Sequence, residues 1–295
     1  MPEHLNWVTH FEEGKYDLAI LHVDQQCLLE NLGKSKVFRQ VYSVVKGKVP
    51  VIVINHGTPV YPAMFVQMAQ MDGYRVTEEA AEEWARVKMR KLLDGVDEMV
   101  VNSHEAQKMW GWGQTIIHGL DPNEWWDLRK EPRVVTFISP AGIGDKYYGR
   151  RLFSDTRVLL KEEYGIESLW IGQDVFIRDW DDYRTFIGKS LVYFNPTIGS
   201  PMPRSRSEAM MSGCCVVTTP YQDADTFIQD GVNGFLCKNN PEDAAKKIAD
   251  MIFNYQEAIK IGKKGRETAI KLFNKERYQR EWLELISKVT SKNIC

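Results

Sequence analysis

The order of apolar runs restricts the fold of this chain more than any other feature. Short stretches rich in Val, Ile and Leu alternate with longer stretches whose apolar residues recur at helical spacing. That is the pattern of a doubly wound α/β protein with parallel sheets. Leu18 to Val23 (LAILHV), Val49 to Asn55 (VPVIVIN) and Glu98 to Val101 (EMVV) read as strands. Residues 36–46 and Thr77 to Leu93 read as helices, the second with Thr77 as its cap, glutamates near its start and Arg and Lys near its end. A further helix follows, capped by Ser103.

The alternation then stops and restarts. Residues 119–132 (GLDPNEWWDLRKEP) carry two prolines, a Gly-Leu-Asp turn signal and no periodicity, as a linker does. Beyond them strands are predicted at Val134 to Ile138, Ser168 to Ile171, Leu191 to Asn195, Cys215 to Thr219 and Gly234 to Cys237. Helices are predicted near 150–164, 180–188, 206–212, 223–229 and 241–254, and the tail from Glu257 to Lys288 is helical in pattern. A chain of 295 residues suffices for two cores. Two Rossmann-like halves are therefore expected, residues 1–128 and 132–275. In such sheets ligands bind beyond the carboxyl ends of the strands, which puts the chemistry in the cleft between the halves.

Composition removes several alternatives. Lys and Arg number 38 against 40 Asp and Glu, a net charge of −2, which argues against a nucleic-acid partner held by bulk positive charge. No apolar run approaches the ~20 residues of a membrane span, and no secretion signal follows Met1. A cytoplasmic protein is expected, with room for peripheral membrane contact only. Cys27, Cys214, Cys215, Cys237 and Cys295 form no CxxC pair and read as structural thiols. The six histidines show no HxxxH or HExxH spacing, so no metal is expected. Trp110, Trp112, Trp125 and Trp126 flank the linker and read as packing in the seam between the halves.

The most informative stretch runs from Phe194 to Leu236. A strand ends at Asn195, a loop of small residues and prolines follows, and a helix opens around Ser207 and Glu208. Backbone amides of such a loop and helix start receive phosphate oxygens. Glu208 at the opening has two oxygens able to accept from vicinal ribose hydroxyls, or it merely complements the helix dipole; spacing alone leaves both open.

The segments SEAMMSGCCVVTT and DGVNGFL resemble the nucleotide-binding half of retaining glycosyltransferases of the GT-B fold, the family 4 group. VDEMVVNSHEAQ and IIHGLDPNEW are similar to that family's last strand of the first half and its hinge. The resemblance spans about residues 50 to 275. It implies two Rossmann-like domains across a cleft, with an unusually short N-terminal one and a C-terminal helix, 276–295, packing back on it. It also implies a nucleotide diphosphate sugar as donor substrate, no further cofactor, and an acceptor hydroxyl of unknown kind.

By that resemblance Glu208 binds the ribose. The family's first carboxylate falls eight residues earlier, where this chain has Ser200. Around it, Met202, Arg204 and Ser205 belong to the loop expected to bind sugar and phosphate through backbone donors. The segment ISPAGIGDKYYGRRLF offers Lys146 for the diphosphate, with Arg150 and Arg151 as alternatives for the guanidinium. Cations there stabilise a departing diphosphate, and positive charge at a helix start, against the dipole, needs some such reason. His56, in NHGTP at a strand end, is the histidine expected to reach the donor, while His22 and His118 read as structural. Ser200 and the short first half also leave open a catalytically weak nucleotide-sugar-binding subunit, and a GT-B epimerase is a third reading.

Overall fold

The computed structural model describes residues 11–59, 70–75, 77–139 and 147–291; Lys146 and Cys295 lie outside the described residues. The first half holds a parallel sheet of β1 (Ala19–Val23), β2 (Val51–Asn55), β3 (Glu98–Val101) and β4 (Gln114–Thr115), in that spatial order. Among its described helices are α1 (Gly33–Val45), α2 (Glu78–Leu92) and α3 (His104–Trp110). The second half holds β5 (Glu131–Thr136), β6 (Ser168–Trp170), β7 (Ser190–Asn195), β8 (Cys215–Thr218) and β9 (Phe235–Leu236). These are also parallel, in the order β6-β5-β7-β8-β9. Around them lie α4 (Arg150–Tyr164), α5 (Trp180–Lys189), α6 (Arg204–Met211), α7 (Ala224–Phe227), α8 (Pro241–Phe253), α9 (Tyr255–Leu272) and α10 (Lys275–Ser291). The α/β halves expected from the apolar alternation are both present.

Each sheet is covered on both faces, as parallel crossovers require. Val51, Val53, Met99 and Val101 cluster with Phe38, Tyr42, Trp84 and Met89 of α1 and α2. The residues between them in sequence, Ile52 and Val100, point the other way and meet Leu285 and Val289 of α10. The last helix thus packs on the first sheet although it follows the second. In the second half Val134, Val192, Phe194 and Val217 cluster with α4 and α8, and Val135, Tyr193 and Val216 with α5 and α6. Cys27, Cys214, Cys215 and Cys237 are buried free thiols.

Capping follows the sequence closely. Thr77 Oγ1 accepts from Ala80 N at 3.1 Å, and Ser103 Oγ from Ala106 N at 3.0 Å. Two expectations are corrected. The segment 119–132 is packed, not a free linker: Lys130 is buried and donates to Gly188 O at 2.7 Å and Ser212 O at 2.6 Å, and β5 already begins at Glu131. Trp110 fills the core of the first half, not the seam, and donates to Gly57 O at 2.8 Å.

The two halves are joined by a short polar seam at residues 221–223. Asp223 accepts from the backbone of His104 at 2.6 Å and Glu105 at 2.8 Å, so a carboxylate of the second half caps α3 of the first. Ser103 Oγ donates to Gln222 Oε1 at 3.2 Å, and Gln222 N donates to the Glu105 carboxylate. Gln222 and Asp223 adopt left-handed φ values of 56° and 63°, a strain of roughly 1–3 kcal/mol each that the surroundings must hold. Fully buried Arg206 does so from behind, donating to Tyr221 O at 3.2 Å and Gln222 O at 2.8 Å. Asp223→Ala removes the acceptor for two amides. It is expected to cost about 0.5–2 kcal/mol, the range for losing a helix N-cap, read as a lower melting temperature that Asp223→Asn partly restores.

Candidate active site

A cavity of about 1080 Å³ opens beyond the carboxyl ends of β5, β6 and β7. Its position follows from the parallel sheet, whose loops after those strands all face the same way. Phe137, Phe176, Trp180 and Tyr183 give it an aromatic wall, and Arg204, Ser205 and Glu208 line it from α6. Trp180 stacks on Tyr183 at 5.3 Å between ring centres, and Phe137 meets Tyr183 edge-on at 5.7 Å. Phe176 is 85% exposed and Trp180 48%. Large aromatic faces held open to solvent in a concave site suit a planar ring or a sugar.

Glu208 is the buried charge of this cavity. The structure starts α6 at Arg204, so Glu208 stands in the second turn rather than at the helix opening, and a dipole role at the N-terminus does not account for it. It is only 4% exposed. Its Oε2 accepts from the Tyr183 hydroxyl at 2.9 Å, and its Oε1 from Arg204 Nε at 2.8 Å. Burial pushes its carboxyl above the usual carboxylate range, while Tyr183 and Arg204 pull it back. Tyr183, itself pushed well above the usual phenol range by burial, stays a donor. Each carboxylate oxygen keeps a further lone pair for a ligand hydroxyl.

The other candidates divide sharply. Ser200, Arg204 and Ser205 line the cavity with Glu208, and Ser205 Oγ donates to Phe137 O at 3.4 Å. The backbone amides of Gly199 and Ser200, expected to meet a phosphate, instead donate to the Tyr147 carbonyl at 2.9 and 3.2 Å. Met202 is turned inward, buried, with its sulfur 3.5 Å from Arg206 Nη2, and does not line the cavity. Nor do Arg150 and Arg151, which are exposed on the first turn of α4; Arg151 lies 3.6 Å from Asp155. Gly149 precedes them with φ 67°, and a Cβ there would sit 1.9 Å from Pro196 O, so only glycine lets α4 begin against the loop after β7. Lys146 lies outside the described residues.

His56 follows β2 in the seam rather than in the cavity wall; its carbonyl accepts from the Tyr147 hydroxyl at 3.1 Å, and Thr58 Oγ1 donates to Gly199 O at 2.9 Å. His118 stacks on Phe273 at 5.1 Å, and burial pushes it down to about 3, consistent with a structural place. Tyr183, Trp180 and Phe176 are the site residues that sequence reasoning missed. An aromatic pair at i, i+3 on a helix carries the same signal as core packing. Among the described residues no group of three His, Cys, Asp or Glu could hold a metal ion. No described helix is long and apolar enough to cross a membrane.

Residues 159–268 match the family model described as glycosyl transferases group 1. Over 115 residues the chain is 25% identical to an uncharacterized glycosyltransferase of Methanocaldococcus jannaschii, covering 38% of this chain and 29% of that protein. Among solved structures, TarM superposes with a TM-score of 0.65 at 15% identity, over 90% of this chain and 54% of TarM. Anabaena HepE in complex with UDP-glucose gives 0.62 at 17%, over 92% and 79%. Sucrose-phosphate synthase from Thermosynechococcus elongatus gives 0.64 at 16%, over 94% and 75%. The fold is that of the GT-B glycosyltransferases. The chain spans about half the length of TarM and under a third of the archaeal protein.

Tyr183→Phe removes one of the two donors that hold Glu208 ionised. The Glu208 carboxyl should then titrate at still higher pH, followed by carbon-13 NMR of the labelled side chain. Any ligand affinity that needs the carboxylate should fall earlier on acidification than in the unaltered protein, because a raised pKa brings the neutral form in sooner.

Proposed function

On this GT-B frame, whose second half matches the group 1 glycosyl transferases, we propose that the protein moves a sugar from a nucleotide diphosphate donor to an acceptor hydroxyl, with retention and without a metal. The observation that carries the reading is Glu208, a buried carboxylate held in place on the floor of an aromatic-walled cavity. Its remaining lone pairs take two vicinal ribose hydroxyls, and the aromatic wall takes the base. A uridine diphosphate sugar is the donor favoured, since HepE is seen with UDP-glucose and a mutant of S. aureus TarM with UDP. Residues 132–275 hold the donor, and residues 1–128 with helix 276–295 hold the acceptor.

Departure of the diphosphate builds negative charge, which fixed cations stabilise. Lys146 supplies one. For the guanidinium, Arg204 replaces Arg150 and Arg151: it lines the cavity, and Glu208 engages only its Nε, leaving the fork of Nη groups for a phosphate. Retention, carried over from the resemblance, has the acceptor attack on the face the diphosphate leaves, with a phosphate oxygen taking its proton. Ser200 in place of a carboxylate favours a second reading, a subunit that binds nucleotide sugar without turning it over.

Release of UDP from UDP-sugars across a panel of hydroxyl acceptors tests the choice. Tight donor binding without turnover removes the transferase reading, and conversion of the donor alone indicates an epimerase. Glu208→Ala should weaken UDP binding by about 1.5–3 kcal/mol, the scale of a hydrogen bond to a charged group, and unchanged affinity in calorimetry refutes the ribose role. Lys146→Ala should lower turnover while leaving the melting temperature in place; equal activity takes it out of the reaction.

A further inference from the structure

We propose that the acceptor is an amphiphile, a hydroxylated head on an apolar chain, and that its chain lies in a groove between the edge strand β1 and α10. The proposal rests on the donor-transfer reading above. A parallel sheet carries apolar side chains on both faces, so each face needs a cover as wide as the sheet. A helix with its side chains is about 10 Å across and strands lie about 4.8 Å apart, so one helix covers about two strands. Here α10 lies over β2 and β3, where Leu285 and Val289 meet Ile52 and Val100. β1, hydrogen-bonded to β2 alone, is left at the margin. Ile20 pairs in register with Ile52 and so points to the same face, yet it is 41% exposed. Leu283, on the flank of α10, is 67% exposed.

The strip between them is a groove of about 510 Å³, walled by Ile20 and Ile54 of the sheet and by Tyr278, Trp282, Leu283 and Ile286 of α10. Gln279 completes the lining, and among the described residues no charged side chain belongs to it. The volume lies in the range of small-molecule sites, roughly 300–1,000 Å³. A wall without charge suits an apolar chain, which gains by leaving water and asks for no hydrogen bond. It is too small to seat a second copy of the chain. Seven residues line it, against the roughly 20–30 a side of a stable protein interface.

The groove is aimed at the cleft. α10 starts beside the hinge, where Lys275 pairs with Asp121 at 3.0 Å, and it ends near the start of β3, where Lys288 meets Glu98 at 3.4 Å. It therefore runs against the strands, with Tyr278 toward their carboxyl ends and Ile286 about 12 Å further along the helix. Ile54 stands one residue before the end of β2, and His22, its partner across the ladder, points to the same face. Just beyond, the Tyr147 hydroxyl donates to the His56 carbonyl at 3.1 Å and ties this end of the first sheet to the second half, where Tyr148 lines the donor cavity. A chain seated along α10 thus brings its head out on the cleft side of the sheet, beside Gln279 and the exposed His22.

Binding tests this separately from turnover. With UDP present, calorimetry of n-alkyl β-glucosides below their micellar concentrations should show affinity rising about two- to fourfold per methylene from butyl to octyl, the scale of burying part or all of a CH₂ group. In methyl NMR, octyl glucoside should shift Ile20, Ile54 and Ile286 and leave Ile187 and Ile248, in the second core, in place. Leu283→Asp, at an exposed position, should flatten the chain-length dependence while UDP affinity and melting temperature stay unchanged; Leu283→Met should preserve it. In turnover Leu283→Asp should raise the KM for octyl glucoside roughly tenfold at unchanged kcat. Affinity independent of chain length, a dependence or a KM that Leu283→Asp leaves intact, or self-association that Leu283→Asp abolishes in light scattering overturns the proposal. Unchanged UDP binding in Glu208→Ala would instead overturn the donor site while leaving the chain-length result standing.

Discussion

A carboxylate from one half of the molecule caps a helix of the other, and the polar seam between the halves is built around it. The halves also meet through Thr58 and Gly199, through His56 and Tyr147, and through α10, which packs on the first sheet. Asp223 binds the first two amides of α3, and Gln222 exchanges hydrogen bonds with Ser103 and Glu105. The free amides at a helix start attract an anion strongly, so the seam needs few contacts to be specific. Its cost is visible on the other side, in two left-handed residues and a fully buried guanidinium. Arg206 keeps its charge there, since burial lowers it only to about 10, and it donates to two carbonyls of the loop.

The same logic governs the cavity. A carboxylate as deeply buried as Glu208 is costly unless it is hydrogen-bonded, and here one phenol and one guanidinium share that task. Arg204 sits four residues before Glu208, one helical turn away, so the pair is built into α6 itself. Tyr183 arrives from α5, and its ring is held by edge-on contacts with Phe137 and Trp125. Removing the charge would relieve the burial; a charged carboxylate so little exposed to water is a strong acceptor for hydroxyl donors.

Much of this is legible in the order of residues alone. Strand and helix patterning is a backbone-scale signal, repeated over many residues, and the caps at Thr77 and Ser103 are local chemistry. Glu208 is marked by its segment, and the fold makes it the cavity's buried carboxylate. What stays hidden depends on distance across the chain. Arg150 and Arg151 look like phosphate ligands because cations at a helix start are unusual, yet Gly149 sets α4 against Pro196 with both arginines outside the cavity. Met202 turns inward, its sulfur 3.5 Å from the guanidinium of Arg206 four residues on. Asp223 has no local mark at all, since its role lies with amides more than a hundred residues away in sequence.

His22 shows the limit most sharply. In the sequence it is a polar residue within an apolar strand. The fold sets its Nδ1 2.7 Å from Nε2 of His56, just beyond the end of the neighbouring strand, and places Asn102 Nδ2 3.3 Å from His56 Nδ1. A neutral imidazole has one donor and one acceptor, and an amide nitrogen only donates. The proton order of the pair therefore follows from three residues far apart in sequence, none of which carries a local mark of it.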